Sequence, residues 1–352
     1  MQRSIPAEGW LPSLNGLRAL SVTIVIGSHL LYAHPELNVA PLALVLSGDL
    51  GVRIFFVISG FLISTLMLKE MDAYGSVSLK RFYLRRALRL LPLQFSFVAF
   101  LFLLTLLTSL KIDTCEFITA ITFTKNYACR GWVEGHLWSL AVEEQFYLMW
   151  PIVLISMRAR NVRVFALLLI CLAPVSRAIE YLLGHRLYTW LPSNADVLMI
   201  GCLLALYAHR HRGELGKIAA WHPSATRMIA ALLMYVPDFL GSRVLLGKLT
   251  ITLGPTLQAI CAATLIVSLV YNHNGFGFRV LNLNVVSYIG AISYSLYIWH
   301  GPFIARPDSY GGQDQWFLSF PLDLLVVILV AMTSYHLLER PFVRLRRRLH
   351  SQ

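Results

Sequence analysis

The chain has 352 residues, 57% of them hydrophobic and only 14% charged, and its mean hydropathy is +0.64. Soluble domains carry about 25% charged residues, so this composition excludes a water-solvated globule and a disordered chain and makes lipid the solvent for much of the length. The formal charge of +12, from 30 Lys and Arg against 18 Asp and Glu, leaves nucleic acid open as a partner until the basic residues are sorted by membrane side.

In chain order, apolar runs able to span a bilayer occur at about 16–34, 49–68, 90–109, 137–157, 163–183, 194–208, 228–242, 249–271, 285–304 and 317–338. The expected fold is all-α, a polytopic helical bundle of about ten transmembrane helices, with residues 1–352 forming one membrane domain. The runs at 194–208 and 228–242 fall short of the ~20 residues a perpendicular helix needs, so counts of nine and eleven also stand open. No internal repeat or Pro/Gly/Ser linker marks off a soluble module.

With the N-terminus inside, the basic clusters at 69–89, 158–163, 210–227 and 340–348 share the cytoplasmic side. Only Lys111, Lys125, Arg130, Arg186, Arg243, Lys248 and Arg306 fall on the other. The positive-inside rule then puts both termini in the cytoplasm. The basic excess is a topology signal, and nucleic acid drops out as a partner. The first apolar run starts late, contains Arg18 and is followed by no small-residue cleavage site, so it is read as a retained span.

The five cysteines form no CxxC or Cys/His grouping, so no metal site is expected. Cys115 and Cys129 share the longest outer loop, about 110–136, where a disulfide and two unpaired thiols both stand open. Cys171, Cys202 and Cys261 lie in apolar runs, where cysteine acts as a small hydrophobe.

Ionisable groups within hydrocarbon are costly and therefore candidates for function. Arg18 and His29 are eleven residues apart, three helical turns and about 20°, which puts them on one helix face roughly 16 Å apart along the axis. A guanidinium suits phosphate or carboxylate, and a buried imidazole suits proton transfer near neutral pH. A snorkelling Arg and a hydrogen-bonded core His account for the pair equally well.

The stretches LNGLRALSVTIVIGSH, GVRIFFVISGFLIS, FYLRRALRLLP, HLWSLAVEEQFYLMWP, SYSLYIWHGP and LLERP run in order from near Leu14 to Pro341. Together they resemble the acyltransferase 3 family of integral membrane acyltransferases. The resemblance implies transfer of an acyl group, commonly acetyl, from cytoplasmic acyl-coenzyme A to a hydroxyl of a surface polysaccharide, lipid-linked sugar or other carbohydrate acceptor. It implies no permanently bound cofactor, since acyl-coenzyme A is a donor substrate, and a location in the bacterial inner (cell) membrane. Some family members carry an extra extracytoplasmic domain; none is expected after Arg340 here. The alternatives are O-acylation of a macrolide or other small molecule, and a non-enzymatic transporter whose path the same buried charges line.

The resemblance also implies roles for particular residues. His29 is the expected general base, needed because a sugar hydroxyl is a poor nucleophile until it loses its proton, and Arg18 belongs to the donor side. Arg85 and Arg89, four apart on one helix face, together with Arg86 are expected to grip the donor phosphates, although such clusters also set topology and meet anionic lipid. Glu143 is the recurrent acid of its motif, expected to orient His29 or bind acceptor hydroxyls. His136 and Tyr147 share its helix face, and Glu144 is a structural partner. Arg18, His29 and Glu143 are expected to line one cavity. Trp138 stacks on substrate or anchors at the interface. Ser59 is read as a helix-packing or hydrogen-bonding residue, and His300 as a second base candidate. The motifs often carry an acid where this chain has Asn15 and Arg53; Arg53 reverses the local charge and would favour an anionic substrate. Arg177, Glu180, Asp196, Asp238, Asp323 and His336 are expected to pair among themselves.

Overall fold

The computed structural model describes residues 12–129, 131–184, 189–241, 247–312 and 315–348. Arg130, Arg186 and Arg243 of the topology argument lie outside the described residues. Among the described residues the fold is helical throughout, with no strand. In order come α1 (Pro12–Ala33), α2 (Ala40–Val45), α3 (Gly48–Tyr74), α4 (Leu79–Leu107), α5 (Thr114–Thr122) and α6 (Leu137–Ser156). There follow α7 (Ala159–Leu182), α8 (Leu191–Arg210), α9 (Arg212–Ala220), α10 (Pro223–Gly241), α11 (Gly247–Tyr271) and α12 (Phe276–Leu281). The chain closes with α13 (Asn284–Ala291), α14 (Ser293–Phe303), α15 (Leu322–Ser334) and α16 (Arg340–Arg348).

Among the described residues, seven segments are long and apolar enough to cross a membrane: Ser13–Ala33, Pro41–Tyr74, Leu79–Leu107, Ala159–Leu182, Leu191–Arg210, Gly247–Tyr271 and Leu322–Arg344. The short apolar run at 194–208 is one of these, because flanking residues at both ends extend its helix to 20 residues. Three of the ten expected runs are not. In α6 the successive Glu143, Glu144 and Gln145 lower the hydropathy, and α10 has only 19 residues, with Arg227 and Asp238 among them. The run at 285–304 is divided at Ile292 into α13 and α14.

The described residues form two compact units. One takes residues 12–25, Leu44–Val77 and Trp150–Ala291. Its helices meet through small residues: a Cβ on Gly60 of α3 would lie 2.1 Å from the Leu198 carbonyl oxygen of α8, and one on Gly201 2.2 Å from that of Val57. Only glycines permit so close an approach, the usual solution where lipid supplies no hydrophobic drive between helices. Its buried charges are ion-paired or hydrogen-bonded. Arg177 of α7 donates two hydrogen bonds of 2.9 Å to the Asp196 carboxylate of α8 and further ones to Thr252 and Thr256 of α11. Glu180 accepts from Ser193. Arg227 donates to the Ser268, Asn272 and Asn274 carbonyls at and just beyond the C-terminal end of α11.

The other unit takes Ile26–Ala43, Ser78–Met149 and residues 292–348. Ser78 caps α4 by accepting from the Arg81 N–H, and Asp113 and Glu116 form a reciprocal cap at the start of α5. Cys115 and Cys129 are joined in a disulfide. Phe97 and Phe100 of α4 pack edge-on against Trp299 of α14, with centroids 5.6 and 5.2 Å apart. Past α1, His34 is 2.7 Å from the buried Asp323 at the start of α15. The last span passes from α15 to α16 through a wider π-helical turn, Tyr335–Glu339, where the Arg340 N–H reaches back to the Tyr335 carbonyl. His336 lies 3.5 Å from Arg340.

Candidate active site

The second unit gathers three histidines that are far apart in sequence. His29 Nδ1 of α1 is 2.7 Å from His300 Nε2 of α14, and the two rings stack at 16° with centroids 4.7 Å apart. His136, at the entrance to α6, has its ring 4.4 Å from that of His300. Its Nε2 donates to the Ile298 carbonyl at 3.2 Å. Sequence explains why that carbonyl is available: in a helix it would accept from residue 302, and Pro302 has no N–H. Pro302 opens an acceptor in α14 and His136 fills it.

Gly301 makes this junction possible. A Cβ there would stand 2.0 Å from the Val133 carbonyl oxygen and 2.7–2.8 Å from the His136 ring. Tyr297 closes the cluster, its hydroxyl donating to the His136 carbonyl at 2.8 Å and meeting Ser139 Oγ at 2.5 Å. Trp132 presents an edge-to-face contact to His29, with centroids 5.2 Å apart, and its indole N–H donates to the Ile304 carbonyl at 3.2 Å. On its other contacts Trp132 stacks with Tyr32 at 4.0 Å, over which the Arg306 guanidinium sits at 4.5 Å.

The loop that carries Trp132 and His136 is firmly tied. The disulfide fixes it to α5, and the buried Lys125 and Glu134 pair at 2.6 Å. Gln145 of α6 donates to the Phe123 carbonyl at 2.8 Å and to Asn126 at 2.9 Å. The Glu116 and Glu134 carboxylates both crowd Gly131. Burial, and next the charge of Glu134, hold the Glu116 carboxyl above its ordinary pKa.

A second polar group in the same unit forms around α4. Arg86 donates to Glu144 at 3.1 Å and lies 3.4 Å over the Tyr147 ring, with Glu143 also within electrostatic reach. Arg89 acts on the same Glu144. Tyr294 donates to the Leu90 carbonyl at 3.2 Å, and Ser295 to Glu339 at 3.0 Å. Thus Glu144, read from sequence as a structural partner, is the acid that meets Arg86.

Of the candidates named from sequence, His29, Arg85, Arg86, Arg89, Trp138, Glu143 and His300 belong to this unit; Arg18, Arg53 and Ser59 belong to the other. His29 and His300 come together, as do Arg86 and the Glu143–Glu144 stretch. Ser59 is half-buried and precedes Gly60 of the close α3–α8 contact. Arg53 bonds Gln258 and lies 3.6 Å from Asp49 and 4.0 Å from Asp238, so acids of the protein itself meet the charge that the sequence left for an anionic substrate. Sequence reasoning passed over Trp132 and the Lys125–Glu134 pair. Their signal was an acid, a base and an indole beside two cysteines in one outer loop. Among the described residues no group of three or more His, Cys, Asp or Glu is arranged to hold a metal.

The family described as "Acyltransferase domain" matches residues 11–336. A Bacillus subtilis (strain 168) protein, YrhL, named for peptidoglycan O-acetyltransfer, is 29% identical over 94% of this chain and 55% of its own length. The O-acetyltransferase OatA of Staphylococcus aureus (strain NCTC 8325 / PS 47) is 30% identical over 94% of this chain and 57% of its own length. The chain therefore spans little more than half the length of these relatives. No solved structure matches it.

Proposed function

From the acyltransferase 3 family, to which this chain belongs, we propose that it is a membrane O-acyltransferase that moves an acyl group, acetyl first among them, from cytoplasmic acyl-coenzyme A to a hydroxyl of a carbohydrate acceptor. The O-acetyltransferase names of its relatives support acetyl as the group and a peptidoglycan sugar as one such acceptor. The proposal includes ten spans, both termini in the cytoplasm and residence in a bacterial cell membrane, and the side bias of the basic residues supports the orientation.

The observation that carries this reading is the position of His29: the imidazole expected to act as base is hydrogen-bonded to a second imidazole within a largely buried group of rings. In the step it serves, His29 takes the proton of the acceptor hydroxyl as the oxygen bonds to the thioester carbonyl carbon. The carbon–sulfur bond then breaks, and the leaving thiolate recovers the proton as coenzyme A. Arg85, Arg86 and Arg89 hold the donor phosphates in this scheme, and Glu143 serves the acceptor hydroxyls. The link of Arg86 to Glu144 supports a preset orientation of that arginine.

Purified protein in detergent, given acetyl-coenzyme A and soluble peptidoglycan fragments, should release free coenzyme A and yield O-acetylated sugar by mass spectrometry. His29→Ala should lower turnover by roughly 10²–10⁴-fold, the range of a general base, while leaving the protein folded. Undiminished turnover in that variant would remove His29 from the mechanism. Substrate movement that demands a membrane gradient, without release of coenzyme A, would establish a transporter instead.

A further inference from the structure

We propose that His300 is a positioning residue: it fixes the tautomer of His29 so that the lone pair that accepts the substrate proton lies on Nε2. The inference rests on the reading of His29 as base and deepens it.

His300 Nδ1 is 2.7 Å from the Tyr297 carbonyl oxygen, which can only accept, so Nδ1 carries the hydrogen. A neutral imidazole has one N–H, and His300 is fully buried, an environment that opposes a charged ring. Its Nε2 is therefore an acceptor. That nitrogen is 2.7 Å from His29 Nδ1, which must then be the donor. With its hydrogen on Nδ1, neutral His29 has its lone pair on Nε2.

The third ring cannot take this part. His136 directs its N–H at the Ile298 carbonyl, so both His136 and His300 spend their hydrogens on successive carbonyls of α14. The backbone of one helix thereby dictates the protonation pattern of all three rings. When His29 accepts the substrate proton at Nε2, its Nδ1–H bond to His300 becomes charge-assisted and strengthens as charge develops. His300 thus does for His29 what a carboxylate does for the base of a serine hydrolase triad, but without a buried negative charge.

The test uses full-length protein in detergent, selectively labelled with ¹⁵N-histidine, and acetyl-coenzyme A with peptidoglycan fragments. Nitrogen chemical shifts should show His29 as the Nδ1–H tautomer in the wild type and a mixture of tautomers in His300→Ala. A wild-type His29 that is protonated at Nε2 overturns the proposal whatever the activity.

In kinetics, His300→Ala should lower kcat about 10²-fold or more with the KM for acetyl-coenzyme A changed less than about twofold, the pattern of an interaction made in the transition state. His300→Gln, whose side-chain oxygen can accept from His29, should recover most of that loss. Equal losses in His300→Ala and His300→Gln, or a loss that appears chiefly in KM, would defeat the positioning role. Full activity of His29→Gln would defeat the reading of His29 as base, a result separable from the tautomer measurement.

Discussion

Replacing Gly301 by Ala tests whether the closeness of α14 to the loop before α6 is needed for chemistry. The added Cβ would stand 2.0 Å from the Val133 carbonyl oxygen, whereas such carbon–oxygen contacts settle at about 3.3 Å. One side of the junction must retreat by about 1.3 Å, and the obstacle is backbone, which cannot swing aside as a side chain does. Overpacking of this kind costs about 1–3 kcal/mol, too little to unfold most chains, but His136 and His300 meet across the displaced contact. A misplacement of about 1 Å costs roughly 10²-fold in rate where geometry is decisive. Gly301→Ala should therefore insert normally and release coenzyme A about 10²-fold more slowly. Gly213→Ala is the control: no heavy atom lies within 4 Å of its added Cβ, and it should retain full rate with a stability gain of up to about 1 kcal/mol from helix propensity. Rates within twofold of each other in the two variants would refute the reasoning.

Glu134→Ala leaves Lys125, 2% exposed, as an unpaired buried charge, so it should destabilise the protein by about 3–5 kcal/mol in detergent unfolding, while Lys125→Met with Glu134→Leu should come close to wild type; a small effect of Glu134→Ala alone would disprove the pairing. The Glu116 carboxyl, with its pKa raised by burial, binds its proton more tightly folded than unfolded, so its stabilising contribution is present below the ordinary carboxylate range and is lost as pH rises through the raised value. Glu116→Gln, which keeps an oxygen for the Asp113 N–H, should thus raise Tm at pH 7 and leave it nearly unchanged at pH 4; equal gains at both would count against the assignment. Arg85→Gln and Arg89→Gln should each raise the KM for acetyl-coenzyme A more than they lower kcat, because phosphate contacts remote from the thioester supply uniform binding. Unchanged donor binding with scrambled insertion would mark these arginines as topology signals.

The helical membrane fold was legible because composition and run length are local properties. The runs that do not stand out as single long apolar helices are those where chemistry interrupts them: Glu143 to Gln145 in α6, Arg227 and Asp238 in α10, and the break at Ile292. The eleven-residue spacing that singled out Arg18 and His29 could be read directly. The meeting of His29 with His300 could not, since 271 residues separate them and only tertiary packing brings them together. Pro302 and Gly301 are the exception: a proline that frees a carbonyl and a glycine beside it announce an approach in α14, without naming His136 as the residue that arrives.

The π-helical turn Tyr335–Glu339 acts on the last span as a change of phase. Each residue of an α-helix advances its side chain by about 100°, so one residue absorbed into a wider turn rotates everything after it by that angle relative to the apolar stripe before it. Glu339 lies at this offset, and the buried Ser295 hydroxyl is there to receive it. The apolar face of α15 and Glu339 therefore obey two different helical registers within one continuous span. A periodicity drawn through the segment as a single wheel would send Glu339 to the wrong side of the helix.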